Sequence, residues 1–385
     1  MHSIMGYAHK ILLLLFVLTF ISCHKEKTID VTQKENLEKV IESEFKLYNM
    51  PGLAYCAVKG DSIVYEGAKG YANIHEKKAF TPQTRMLIGS ISKTMAVTSI
   101  MQICEKGLIS LDEDISNYLP FKVRNPKFPN DTITVKMLLT HTSSISDDGY
   151  DGSFFYLFGY VDYPQSLMSF EKDYLTPSGQ YYAKNYSFSS TKPGTTYSYT
   201  NVGAALIACL VEQITGVDYN TYCKANIFQP LGMTRTTWFF SETPKEEIAI
   251  PYSSTNITNP SKPFFSFPTY PDGHLITTIE DLSKFMRAYI MNGTFNNYQL
   301  IKSQTVDLIL QKYGVIPGVG EQGLIFYKHV LGKDTIWGHN GGDPGVSTEM
   351  YFNRESKTGY IVFTNRSEVY SEPIGEALLI YTRNK

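Results

Sequence analysis

The sequence predicts an α+β fold: an antiparallel sheet flanked by helices and built from both ends of the chain, with a mainly helical subdomain inserted between them. Three observations lead there. A helical run and a hairpin pattern open the body of the chain, and three strand-like runs with an amphipathic helix close it. The stretch between, about 121–264, has few strand patterns. At 385 residues, 43% hydrophobic and 19% charged, the chain can bury a large core. A net charge of −2 with both signs mixed gives no footprint for nucleic acid.

Taken in order, Lys10 precedes an apolar run over 11–21 that is too short to span a bilayer. It reads as the core of a secretory signal. Phe20-Ile21-Ser22-Cys23 resembles a bacterial lipobox. Residues 1–22 are therefore expected to be a lipoprotein-type signal peptide, Cys23 the lipidated residue and 23–33 a tether. The alternative is an ordinary signal with an incidental cysteine, since Phe20 stands where Leu is commoner. Either way the body is exported, and with lipidation a membrane is touched through the anchor.

Leu37, Val40, Ile41, Phe45 and Tyr48 recur at helical spacing, predicting a helix over 32–49 that Pro51-Gly52 stops. LAYCAV and SIVYEG, joined by Lys59-Gly60-Asp61, predict a hairpin. SISKTMAVTSIMQICEK is a long apolar helix closed by Gly107. Residues 34–120 and 265–385 are assigned to the sheet subdomain, and 121–264 to the helical one. The insertion holds ten tyrosines between 150 and 199, which either pack on one another or line a cleft. Beyond 270, PDGHLITTIEDLSKFMRAYI reads as a turn and a helix. DTIWGHNG, GVSTEMYFN and TGYIVFTN read as strands, and EPIGEALLIYT as a terminal helix with Pro373 in its first turn.

Cys56, Cys104, Cys209 and Cys223 have no metal-ligand spacing and read as free thiols, with one disulfide left open. The eight histidines form no H-x-H or H-x-x-x-H cluster, so neither a metal nor another cofactor is expected.

Ser-x-x-Lys occurs five times, but only Ser90/Lys93 stands at the head of an apolar helix with both side chains on one face. A serine hydroxyl needs a base within hydrogen-bond reach, and a desolvated lysine one turn away can supply it because burial lowers its pKa. The bland alternative is an N-cap serine beside a solvated lysine. Among three Tyr-x-Asn triplets, Tyr199-Thr200-Asn201 is the one delivered onto an apolar helix, where Asn201 could equally be the N-cap.

The flanks add weight. GSISKTMAVTSIMQICEKGLISLDEDISNYLP, LLTHTSSI, PGTTYSYTNVGAALIACLVEQITG, GHLITTIEDLSKF and WGHNGGDPGV occur in this order. Over about 34–382 the set resembles the penicillin-recognising serine hydrolases: class C-type β-lactamases, D-alanyl-D-alanine carboxypeptidases, D-aminopeptidases and related esterases. The resemblance implies a β-lactamase/transpeptidase-like fold, Ser90 as acylated nucleophile and Lys93 as proton acceptor. It implies Tyr199 as general base and acid, and Asn201 as a side chain holding the substrate amide. The backbone N–H groups of Ser90 and Gly342 would form the oxyanion hole.

The family's third signature, Lys-Thr-Gly or His-x-Gly, borders the cleft and is followed by two strands and a helix. His339-Asn340-Gly341 fits that order. Lys357-Thr358-Gly359 has one strand after it and sits in polar turn chemistry, so it reads as a hairpin loop. His339 would carry charge only when protonated, so the site's field is expected to vary near pH 6–7. It is expected to hydrogen-bond Tyr199 or the substrate. His141-Thr142-Ser143-Ser144 departs from a family segment that usually ends in Gly and reads as structural.

The function expected is hydrolysis of an amide or ester through an acyl-enzyme. The substrate would be a D-amino-acid peptide derived from peptidoglycan (a D,D-carboxypeptidase-like activity) or a small ester. A β-lactamase and a non-catalytic peptidoglycan-binding protein are the alternatives.

Overall fold

A computed structural model describes residues 30–150, 155–183, 186–253 and 264–385. The signal peptide, Cys23 and most of the tether lie outside the described residues. Residues 31–385 form one compact unit.

Helix α1 (Lys34–Leu47) is followed by β1 (Gly52–Lys59) and β2 (Ser62–Asn73), joined through Gly60 at φ +62°. Strand β3 is Lys78–Ala79 and helix α2 is Lys93–Glu105. The middle of the chain supplies α3 (Val135–Leu139), α4 (Leu167–Leu175), α5 (Asn201–Thr215) and α6 (Tyr219–Cys223). Then come α7 (Ile279–Ile290), α8 (Ser303–Ile309), β4 (Gly314–Ile316), β5 (Gly320–Gln322), β6 (Tyr327–Leu331), β7 (Asp334–Asp343), β8 (Val346–Asn353), β9 (Thr358–Thr364) and α9 (Glu372–Arg383).

The main sheet runs β4-β5-β6-β7-β8-β9-β1-β2-β3, with each of these pairs antiparallel. It joins the two ends of the chain where β1 pairs with β9, Leu53 opposite Thr364. Strand β1 reads as an unbroken apolar run because both faces are covered. Leu53, Tyr55 and Ala57 meet Leu37 and Ile41 of α1 and Leu378 of α9. Ala54, Cys56 and Val58 face the larger core, with Met95 of α2 and Phe285 of α7. That larger cluster continues into α4 and α5, so sheet and insertion share buried side chains.

Helix α5 is apolar all round and buries every residue from Val202 to Val211. Burying each of its Leu and Ile side chains stabilises by roughly 1.5–3 kcal/mol. Gly216, at φ +73°, ends it. Cys56, Cys104, Cys209 and Cys223 are all free thiols. The three strands β4, β5 and β6 were not expected from the sequence. They extend the sheet past β7.

Candidate active site

Four segments meet at Ser90. The chain turns at Gly89 (φ +55°), makes one 3-10 turn over Gly89–Ser92 and enters α2 at Lys93. Ser92 Oγ accepts from the Leu275 N–H at 3.1 Å and ties this turn to the 270–275 segment. Ser90 is half-buried, whereas Lys93 is fully buried behind it. Lys93 Nζ donates to Ser90 Oγ at 3.0 Å and to the Asp272 carbonyl at 2.7 Å, and lies 3.9 Å from Asp272 Oδ1.

Burial pulls the Lys93 pKa down, but Tyr199, Asp272 and Asp343 outweigh it and the net shift is upward. This corrects the expectation that burial would leave the lysine as a ready base. An ammonium that donates to Ser90 Oγ has no lone pair with which to take the serine proton. Burial pushes Asp272 up to about 7 and Asp343 up to about 6. Asp343 accepts from the Tyr156 hydroxyl at 2.6 Å.

Tyr199 comes from the segment just before α5. The residue as a whole is 38% exposed, while its hydroxyl end is buried and reaches Lys93 and Ser90. Burial raises its pKa, and Lys93 and Ser90 offset only part of that rise. Lys93 Nζ lies 5.0 Å from the ring centre. Thr200 takes the N-cap of α5, its side chain accepting from Gly203 N–H, so the capping alternative for Asn201 does not hold. Asn201 opens the helix with its backbone N–H donated to Asp147 at 2.6 Å. It is not among the residues lining the cleft.

The opposite wall is β7, where the strand alternation buries His339 and Gly341 and exposes Asn340 and Gly342. A Cβ on Gly341 would stand 2.0 Å from the Ile88 carbonyl, and one on Gly89 would stand 2.9 Å from Gly342 N. Glycine at both positions lets the strand lie directly on the Ser90 turn. His339 Nδ1 donates to the Asn340 carbonyl at 2.5 Å rather than to Tyr199, whose ring centre is 6.3 Å away. Burial, then the Lys93 charge, pushes His339 down to about 3. The expected change of charge near pH 6–7 is therefore overturned. The other triplet sits apart: Lys357, at φ +55°, is in the β8–β9 turn, and its carbonyl accepts from Gly60 N–H at 2.7 Å.

A cleft of about 300 Å³ opens over Ser90 between these walls. Besides Tyr199, His339, Asn340 and Gly342, it is lined by His141, Tyr197, Gln322 and Tyr327, and by Ile316, Val319 and Ile325. Both readings of the tyrosine-rich stretch apply to different rings. Tyr150 and Tyr174 pack with Phe155 and Phe170, while Tyr197 and Tyr199 face the cleft. Sequence reasoning missed the wall from β4, β5 and Tyr327, and gave His141 a purely structural part. The turn signal Pro317-Gly318, between the short apolar runs of GVIPGVGEQGLIFYKHVL, is what could have found the former.

A family model described as "Beta-lactamase" matches residues 37–381. Protein flp of Staphylococcus aureus strain N315 is 25% identical over 262 residues, covering 66% of this chain and 48% of its own. The chain thus spans about half the length of that relative. Penicillin-binding protein 4* of Bacillus subtilis strain 168 is 24% identical over 361 residues, covering 87% of this chain and 72% of its own. In fold, the D-amino acid amidase of Ochrobactrum anthropi SV3 complexed with D-phenylalanine superposes with a TM-score of 0.70. It is 19% identical, and the match covers 91% of this chain and 100% of that one.

Proposed function

The chain belongs to the beta-lactamase family, and on that premise we propose that it is a serine hydrolase forming an acyl-enzyme at Ser90 from an amide or ester. The observation that carries this reading is the buried Lys93 ammonium donating to Ser90 Oγ at 3.0 Å, with the Tyr199 hydroxyl beside both. Ser90 Oγ attacks the substrate carbonyl carbon. Tyr199 relays the proton: its hydroxyl oxygen takes the serine proton as its own proton goes to the leaving amine or alcohol, and the Lys93 charge stabilises the phenolate character that develops on the way. The backbone N–H groups of Ser90 and Gly342 hold the oxyanion. Water, deprotonated by the same tyrosine, then releases the acid and frees Ser90.

The substrate class is a D-amino-acid peptide or a small ester. Support comes from the relatives, a penicillin-binding protein and a D-amino acid amidase among them. Tyr197, Tyr327, Ile316 and Ile325 suit an apolar group beside the scissile bond. Asn201 is proposed to hold the substrate amide. Export with a lipid on Cys23 is proposed as well, which would bring the enzyme beside peptidoglycan.

The test is labelling by a fluorescent fluorophosphonate or penicillin, followed by a panel of nitrocefin, p-nitrophenyl acetate and a D-alanine-terminated muropeptide. Label on the wild type and none on Ser90→Ala is expected, with turnover of the ester or the D-peptide. Equal label on both proteins, or none on either, moves the weight to a binding protein.

A further inference from the structure

His141 is buried (1% exposed) yet lines the cleft. Its backbone is left-handed, at φ +54°, a conformation that costs a non-glycine residue free energy and persists only where the surroundings demand it. That conformation lets the residue grip the tyrosine segment on both sides. The His141 carbonyl accepts from Ser198 N–H at 2.7 Å, and ring Nδ1 accepts from Thr200 N–H at 3.3 Å. Between those two anchors the imidazole lies against the Tyr199 ring, with centres 4.5 Å apart and planes tilted by 33°.

Accepting a backbone N–H at Nδ1 fixes the neutral tautomer with its proton on Nε2. Among the described residues Nε2 is buried without a partner. Burial, with Lys93 and His339 nearby, holds the imidazole neutral far below its ordinary range. Asp147 completes the hold from the far side. It accepts from Thr200 Oγ1 at 2.6 Å, Asn201 N–H at 2.6 Å and Val202 N–H at 3.2 Å.

We propose that His141 is the positioning residue of the proton-transfer group: by clamping residues 198 and 200 it sets where the Tyr199 hydroxyl meets Ser90 and Lys93. This rests on the serine-hydrolase reading above. The role belongs to the Nδ1 position and the left-handed backbone, and Nε2 is not used on substrate. Asparagine supplies an acceptor where Nδ1 stands and tolerates positive φ. Glutamine supplies polar atoms where Nε2 stands and leaves Nδ1 unreplaced.

The experiment compares wild type, Ser90→Ala, His141→Asn and His141→Gln in p-nitrophenyl acetate hydrolysis across pH, with fluorophosphonate acylation rates and thermal midpoints. Activity in the wild type that Ser90→Ala abolishes establishes the reaction independently; without it both the functional reading and this inference fall. Given that activity, His141→Asn is expected to keep kcat within about 3-fold. His141→Gln is expected to lose on the order of 10²-fold in kcat with KM nearly unchanged, because about 1 Å of misplacement costs that much. Its pH–rate profile should also shift. Three outcomes overturn the inference: Gln rescuing where Asn does not, which assigns Nε2 to the substrate; both variants matching wild type; or equal kcat losses that track the fall in thermal midpoint.

Discussion

Lys93 shows how a full charge survives at 0% exposure. Removing an ammonium from water costs several kcal/mol unless oxygen acceptors replace the water. Here the Asp272 carbonyl, Ser90 Oγ and the nearby carboxyl groups replace it. The same charge, added to burial, works against a second cation at His339. With its folded-state pKa at about 3, His339 is neutral from about pH 4 upward and does not titrate between pH 5 and 8. His339→Asn is therefore expected to leave the shape of the kcat/KM profile unchanged over that range, whatever it does to the absolute rate. Loss of an inflection near pH 6.5 in the variant would show that His339 titrates there after all. The residue's identity was legible in the sequence, since strand order picked His339 over Lys357. Its charge was not, because burial and the distance to Lys93 are properties of the folded chain.

At the scale of elements, β8 fastens the C-terminal helix through one carboxyl group. Glu349 Oε1 accepts from Ser371 Oγ at 2.6 Å and Ser371 N–H at 3.2 Å, and Oε2 accepts from Tyr360 hydroxyl at 3.0 Å. Burial pushes Glu349 up to about 7. The folded chain thus holds a proton that the unfolded chain releases near its ordinary value of about 4.3. This contribution is whole below that value and is lost as pH rises through about 7. At about 1.4 kcal/mol per pKa unit it amounts to about 4 kcal/mol at most. Glu349→Gln should lose less stability than wild type between pH 5 and 8, measured as urea midpoints. Asp272 and Asp343 are raised in the same direction, so the decline should shrink rather than vanish. Identical declines in the two proteins would remove Glu349 from the account. The hairpin of β8 and β9 was readable because polar turn residues interrupt two apolar runs. Strands β4, β5 and β6 were not, since β4 and β5 are three residues each and β6 five, too short for alternation to stand out.

For the whole molecule, the apolar content and the two-ended strand pattern translate into one compact unit over 31–385. The proposed lipidation of Cys23 falls on a residue outside the described ones. Expression with an alkyne fatty-acid analogue should label the wild type and not Cys23→Ser, and the variant should leave the membrane fraction. Label retained on the variant would exclude Cys23 as the modified residue.

The sequence by itself picked out the segments that the fold brings together around Ser90, and their order along the chain. Spacing along one helix brings Ser90 and Lys93 together, and strand order selects the triplet at His339; both are local or topological relations. Only the tertiary structure decided the protonation of Lys93 and His339 and the clamp that His141 and Asp147 place on Tyr199. Charge and orientation at a buried site depend on what stands within a few ångströms. Here those neighbours come from residues more than fifty positions apart, as with His141 and Thr200.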